Sequence, residues 1–332
     1  MDALSDILRT VRLRGGVFLH AEFTAPWCVA SQLTSDDLSM LLEGSEHAVL
    51  YHYVVEGRLS AQPPNGKPLE VSAGEVVIFP HNDVHLLGSR LDLPPVRSRE
   101  IVRMPPEGGL WVIRHGGGGE RTRIVCGFIG CDRLDGNPLA AALPSILHFD
   151  TRQGAAATWM RSSLEFAAQE IAERRAGSET VLAKLSELLF VEAVRRYVET
   201  LPSAQSGWLA GLRDPFVSRA LALIHGRVRE QWTVDDLGRE VGLSRSALAD
   251  RFTRLIGEPP MRYLARWRLQ LAASQLRNSD LSLARIAEQI GYESEAAFNR
   301  AFKRSFGAPP AAWRRGAARS DSGLAPRSTA PA

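Results

Sequence analysis

Apolar residues change their spacing along the chain, and the change divides it. From His47 to about Ile129 the period is near two. The runs AVLYHYVVEG (closing at Gly57), EVVIFP, GGLWVIRHG and RIVCGFIG are parted by turns such as PPNGKP, where Pro, Asn and Gly favour reversal. Several short strands at regular spacing predict a sandwich or barrel. Ahead of them the pattern predicts a short helix over about Asp2 to Arg12, then strand-like VFLHAEF leading to Trp27. From about Pro138 the period becomes helical. TWMRSSLEFAAQEIAERR sets Trp159, Leu164, Ala167 and Ile171 on one face. ETVLAKLSELLFVEAVRRYVETL groups Val181, Leu185, Leu188, Leu189 and Glu192. Pro202 to Gly207 reads as a linker, and a helix is expected from about Phe216 to Arg229.

The last third repeats itself. TVDDLGREVGLSRSALADRFTRLIGEPPMRYL returns as SLARIAEQIGYESEAAFNRAFKRSFGAPPAAW. Ser244 matches Ser294, Phe252 matches Phe302, and Pro259-Pro260 match Pro309-Pro310, each 50 residues apart. Before the turn the offset is 49, as between Gly242 and Gly291. Each copy reads as a short helix, a glycine turn and a longer helix. Thr233 with Asp236 forms a capping box, and Gly242 and Gly291 stand where a helix end needs positive φ. Ser244 and Ser294 are N-caps of the second helices. Leu248, Phe252 and Ile256, with Phe298, Phe302 and Phe306, face the core. MRYLARWRLQLAASQLR joins the two copies as one helix. This is the helix-turn-helix pattern, whose second helix enters a DNA major groove.

Charge separates this pattern from two hairpins packed only as scaffold. Lys and Arg total 40 against 37 Asp and Glu, net +3. From Asp214 onward the counts are 19 and 12, net +7, which leaves −4 for residues 1–213. The positive charge lies with the repeat, where phosphate contact requires it.

This region closely resembles the AraC/XylS DNA-binding domain, including the ending G-x-P-P-x-x-W-R from Gly307 to Arg314. The resemblance implies a bacterial transcription regulator with recognition helices at about 245–256 and 295–306 in successive major grooves of double-stranded DNA. It also implies RNA polymerase as a partner if the regulator activates. In this family the base-contacting side chains lie two, five and six residues after the N-cap, here Ser246, Ala249 and Asp250, then Ala296, Asn299 and Arg300. Arg300 suits guanine and Asn299 adenine. Asp250 departs from the usual basic or amide residue and suits a cytosine amine. Phosphate candidates are Arg245, Arg254, Lys303 and Arg304, with Arg251 turned partly toward the core.

GEVVIFPHNDVH, Gly74 to His85, resembles the second cupin motif, with Asn82 in place of its Gly and Ser89 in place of its final Asn. LYHYVVEG resembles the end of the first motif. Leu50 stands where that motif has a ligating Glu, and Gly44-Ser45-Glu46 where it has His-x-His. Of the four ligands only His85 remains, and one His holds no catalytic metal. No metal, cofactor or catalytic residue is expected. The whole order resembles an AraC subgroup with a variant cupin domain, whose barrel and helices sense an effector and form a homodimer.

The expected fold is therefore α+β: a cupin-like barrel with flanking helices, then an all-α double helix-turn-helix domain. The boundaries are 1–133 for the barrel and 134–206 for the helical dimerisation region and linker. Residues 207–315 form the DNA-binding domain, and 316–332 a disordered tail. If Leu50 points inward, so does His52. Trp27, His52 and His85 are then the pocket candidates for a small-molecule effector, with His52 and His85 as satisfied structural histidines in the competing reading. Cys126 and Cys131 are a possible redox pair. An odd spacing on extended chain sets them on opposite faces, roughly 16–17 Å apart. Three cysteines suit a reducing cytoplasm. The charged start is no secretory signal, and no apolar run approaches the ~18 residues of a membrane span. Two other readings stay open. A cupin enzyme fused to a DNA-binding domain would carry metal on purification. An architectural DNA binder without effector would cover DNA uniformly.

Overall fold

The computed structural model describes residues 2–11, 13–42, 45–103, 111–131, 138–153, 157–173, 176–202 and 205–322. The chain forms two compact units, one of residues 11–135 and 140–200, the other of 1–10, 136–139 and 201–332. In chain order the elements are α1 (Ala3–Val11), β1 (Arg14–Thr24), β2 (Cys28–Ser31), α2 (Ser35–Leu41), β3 (His47–Glu56), β4 (Arg58–Gln62), β5 (Leu69–Ser72), β6 (Glu75–Phe79), β7 (His85–Gly88), β8 (Val96–Arg97), α3 (Ser98–Ile101), β9 (Val102–Arg103), β10 (Trp111–Gly116), β11 (Arg121–Cys131), α4 (Pro138–Ala142), β12 (Leu147–Asp150), α5 (Ala157–Glu173) and α6 (Ser178–Thr200). Then come α7 (Trp208–Gly211), α8 (Pro215–Gly226), α9 (Val234–Val241), α10 (Arg245–Ile256), α11 (Pro260–Asn278), α12 (Leu283–Gln289), α13 (Glu295–Phe306) and α14 (Pro310–Ser322). Helix α1 groups with the carboxy-terminal unit, not with the barrel it precedes. Among the described residues no helix is long and apolar enough to cross a membrane.

The barrel unit has two sheets, ordered β12-β6-β3-β11-β1-β10-β9 and β5-β4-β7-β2-β8. Strand β3 sits inside the larger sheet, paired antiparallel to β6 and to β11. Both of its faces are covered. Leu50 and Val54 join the barrel core with Phe79, Leu59 and Ile124, and His52 is buried on the same face. Val49 and Tyr51 point the other way, toward Met160 and Leu164 of α5 and Leu189 and Phe190 of α6. This double burial explains why β3 reads as a nearly continuous apolar run.

The helical patterns placed α5 and α6 correctly but misassigned their faces. On α6 the buried stripe is Leu182, Ser186, Leu189, Phe190, Ala193 and Val194. Val181 and Leu188, grouped with Leu189 by sequence, are 44% and 56% exposed. Helix α6 lies along β1 and β11, and that contact selects a stripe displaced from the one the hydropathy favours. Trp159 and Phe166 of α5 are exposed as well, while Leu164 and Ala167 are buried. The side chain of Ile171 is outside the described set. Strand β12 was expected to be helical. Four residues are too few for periodicity to speak, and they pair with the free edge of β6, Leu147↔Ile78 to Asp150↔Glu75. Helix α14 runs through Ser322, so the first part of the expected tail is helical. Residues 323–332 lie outside the described residues.

In the carboxy-terminal unit, Leu248, Phe252, Phe298 and Phe302 are fully buried, and Ile256 and Phe306 half-buried. The linker is anchored here. Gly207 N–H donates to the Leu255 carbonyl at 2.6 Å. Trp208 Nε1–H donates to the Tyr263 hydroxyl at 2.8 Å, and His225 Nε2 lies 2.7 Å from the same oxygen. His225 stacks on Trp267 with ring centroids 4.1 Å apart. Burial, then the nearby Arg266 charge, push its pKa down to about 3.

Two outcomes follow from this packing. A Cβ on Gly127 would lie 2.2 Å from the Tyr51 hydroxyl. Gly127→Ala should therefore lower stability by about 1–3 kcal/mol, as overpacking does, read from urea denaturation. The second concerns His225. The unfolded chain protonates it at 6.5, the folded chain only near 3. The unfolded state then binds more protons below pH 6.5. Its contribution is complete above that pH and is lost progressively as pH falls toward 3, at about 1.4 kcal/mol per unit for one proton. The melting temperature should fall from pH 6.5 to 5, before most carboxylates titrate, and fall less steeply in His225→Gln.

Candidate functional site

The two helix-turn-helix units are built by matching local chemistry. Thr233 and Asp236 close the predicted capping box on α9, and Ser282 caps α12 through Arg285 N–H. Gly242 at φ 81° and Gly291 at φ 82° make the left-handed turns, where a side chain would be strained. Ser244 then caps α10 through Ala247 N–H, and Ser294 caps α13 through Ala297 N–H. Both second helices begin and end at the predicted residues, each followed by a left-handed glycine, Gly257 and Gly307.

The burial of Leu248, Phe252, Phe298 and Phe302 turns the opposite faces outward. Ser246, Asp250, Ala296 and Arg300 are exposed, and Ala249 and Asn299 half-buried. Ser246 Oγ lies 3.3 Å from Ser244 Oγ. Among the phosphate candidates, Arg254, Lys303 and Arg304 are exposed, and Arg245 lies 3.6 Å from Asp235. Arg251 is otherwise engaged. It forms a 2.6 Å ion pair with Asp214, the N-cap of α8, and lies 4.9 Å over the Phe216 ring. Helix α11 joins the two helix-turn-helix units, and its 19 residues span about 28 Å.

The barrel encloses a cavity of about 200 Å³. Apolar walls dominate it, among them Leu19, Phe23, Val29, Leu50, Leu87 and Ile113, with His52 and Cys126 also in its lining. His52 and His85, 33 residues apart in sequence, meet Nε2 to Nε2 at 2.9 Å. His85 Nδ1 lies 2.9 Å from the Asp83 carbonyl and His52 Nδ1 lies 3.1 Å from Cys126 Sγ. A carbonyl only accepts, so His85 Nδ1 must carry a proton. With both rings neutral, His85 Nε2 accepts from His52 Nε2–H, and His52 Nδ1 accepts from the Cys126 thiol. Burial lowers both histidine pKa values, His85 to about 4, which keeps the rings neutral. His85 also stacks on Phe79 with centroids 3.6 Å apart.

Of the expected pocket residues, His52 lines the cavity, and His85 lies behind it. Trp27 does not line it: it stacks on Phe23 at 4.0 Å and belongs to the closed core. The cysteines do not pair. All three are buried and outside any disulfide, and Cys126 and Cys131 sit at opposite-face positions of the continuous strand β11, opposite His52 and His47. Burial raises the Cys126 thiol pKa, against the thiolate a redox switch needs. Among the described residues no group of three or more His, Cys, Asp or Glu is placed to hold a metal ion. Sequence reasoning missed Ser98 and Arg99, which line the cavity from the four-residue helix α3. So short a helix leaves no periodic trace.

Comparison with known proteins agrees with this architecture. Residues 2–199 match a cupin family model, and residues 237–316 a helix-turn-helix domain model. An AraC-like transcription regulator of Streptomyces lividans is 30% identical over 318 residues, covering 95% of this chain and 98% of that protein. The HTH-type transcriptional regulator AlkR of Acinetobacter baylyi is 29% identical, covering 95% and 99%. The solved DNA-binding domain of AdpA, in complex with a target DNA, is 29% identical, covering 34% of this chain and 99% of that one, with a TM-score of 0.31. A cupin match over more than half the chain, a helix-turn-helix match after it and full-length relatives at this identity place the protein in the AraC family: it is a DNA-binding transcription regulator with an amino-terminal cupin domain.

Proposed function

We propose that the regulator reads DNA with the outward faces of α10 and α13, acts as a homodimer, and is switched by a small molecule held in the barrel. The observation that carries the reading is the pair of N-capped second helices, each with its aromatic side buried and its other side exposed. Arg300 is assigned to guanine O6 and N7, Asn299 to adenine and Asp250 to a cytosine amine. Ser246, Ala249 and Ala296 shape the fit against the bases. Arg245, Arg254, Lys303 and Arg304 hold phosphates. RNA polymerase is the further partner where the protein activates.

The barrel binds and does not catalyse. Leu50 replaces the ligating carboxylate of a cupin enzyme, and its polar groups at the cavity are engaged with one another. The dimer is assigned to the outer face of α6. Val181 and Leu188 stand exposed seven residues apart. Half-buried Leu185 and Glu192 continue the same 3–4 spacing, the seam of a helix pair. A bacterial cytoplasm is the compartment such a regulator works in, and it suits three cysteines outside any disulfide.

Arg300→Ala should weaken binding to a selected DNA site by roughly 1–3 kcal/mol and binding to random DNA much less, as measured by fluorescence anisotropy. Equal loss on both would reduce Arg300 to a phosphate contact. Val181→Glu with Leu188→Glu should convert the dimer to monomer in sedimentation at ~10 μM, a concentration suited to dimers of ordinary strength, while leaving the melting temperature within a few degrees, because neither side chain is in the core. An unchanged dimer would move the interface elsewhere.

A further inference from the structure

Helix α11 serves two cores in succession. Its first half belongs to the first helix-turn-helix: Tyr263 meets Phe252 edge-on at 5.7 Å, and Trp267 stacks on His225 at 4.1 Å. Its second half, from Leu269 to Leu276, packs with Ile286, Phe298 and Phe302 of the second. Arg268 stands at the changeover, half-buried. Its Nε–H donates to the Val228 carbonyl at 2.9 Å, and its Nη2–H to the Glu230 carbonyl at 2.7 Å. Both carbonyls lie in the loop between α8 and α9. The same loop reaches the second helix-turn-helix directly. Gln231 Nε2–H donates to the Gly291 carbonyl at 2.8 Å, and Arg229 pairs with Glu288 of α12 at 2.9 Å.

The repeat shows what is special about this junction. Gly242 and Gly291 hold equivalent turns, and both are left-handed. A Cβ on Gly242 would meet nothing within 4 Å. On Gly291 it would lie 2.7 Å from the Arg268 guanidinium and 2.8 Å from the Arg229 carbonyl. The backbone angle accounts for glycine at both turns, but only the second turn is covered. A helix strung between two separate cores is free to curve. A planar guanidinium on two carbonyls of one loop resists that, because its donors are fixed relative to each other. We propose that Arg268 is a positioning residue for DNA recognition. With Gln231 it clamps the α8–α9 loop to the second turn and fixes the separation and angle of α10 and α13, so the regulator accepts its two half-sites at one spacing. This rests on the reading that both helices enter DNA, and it deepens that reading by naming what sets their separation.

The test uses the full-length protein and a duplex that it selects from a random pool. Each half-site is scrambled in turn, or one base pair is inserted or removed between them, which shifts a half-site by about 3.4 Å and about a tenth of a turn. In fluorescence anisotropy the wild type should bind the shifted duplexes about tenfold or more weakly, as loss of one half-site's base contacts does. Arg268→Met keeps the aliphatic stem in place. It should weaken the selected spacing severalfold, through lost preorganisation, and narrow the gap to the shifted duplexes to about threefold. Arg268→Lys should restore part of the gap. Gln231 is exposed, so Gln231→Ala keeps the fold, and it should narrow the gap to a smaller extent. A role in stability alone would lower affinity for every spacing alike and leave the gap as it is. The proposal is overturned if the wild type binds shifted and selected duplexes equally, or if folded Arg268→Met keeps the wild-type gap. Where Arg268→Met does not fold, an unchanged gap in Gln231→Ala overturns it. The scrambled duplexes separate the clamp from the reading beneath it. Loss at both half-sites with a gap that no variant moves upholds two-helix reading of DNA and removes the clamp. Loss at only one half-site removes the two-helix reading, and the clamp with it.

Discussion

The barrel unit depends on burying the β3–β11 pair from both sides. The two strands run together from His47↔Cys131 to Glu56↔Arg123, with the cavity on one face and α6 on the other. Each face sets a separate requirement. Toward α6, Tyr51 must pass over β11 to reach Ser186 at 3.0 Å, and only a residue without a side chain leaves room, hence Gly127. Toward the cavity, His52 comes within hydrogen-bond reach of both Cys126 and His85. A polar ring in such a place is tolerated only if its nitrogens are satisfied. One backbone carbonyl, that of Asp83, fixes the direction of the whole chain of hydrogen bonds once the rings are neutral.

Ring nitrogens that face each other at 2.9 Å, with a thiol on the far side of one of them, satisfy each other when both rings are neutral. The cavity lining is mainly apolar, and exposed Arg99 of α3 also lines it, with no ion pair among the described residues.

The carboxy-terminal unit repeats one design with unequal surfaces. The helix α13 carries Arg300, Lys303 and Arg304 outward, and no described ion pair engages them. On α10 the outward face carries Asp250, Arg245 is drawn to Asp235, and Arg251 is tied to the cap of α8. Arg251 also connects the recognition helix to α8, because the same Asp214 holds the first turn of α8 through the Phe216 and Val217 N–H groups. Exposed cations outside the described ion pairs are thus more numerous on α13, with Arg300, Lys303 and Arg304, than on α10, with Arg254.

By itself the sequence determined what depends on near neighbours along the chain. The helix-turn-helix units were legible almost to the residue, because capping boxes, left-handed glycines and apolar spacing are local physics, and the repeat stated them twice. The alternation in the barrel identified its strands, and the inward direction of His52 followed from the pleat. Tertiary structure decided everything that joined distant positions. It brought His85 to His52 and Cys126. It enlisted Leu147–Asp150 as an edge strand because β6 had backbone groups to share, and it placed Trp27 in the closed core against Phe23. It chose which stripe of α6 faces the sheet, since a helix apolar on several sides is oriented by what it meets. It also set Arg99 at the mouth of the cavity, a position that four residues of helix could not announce in advance.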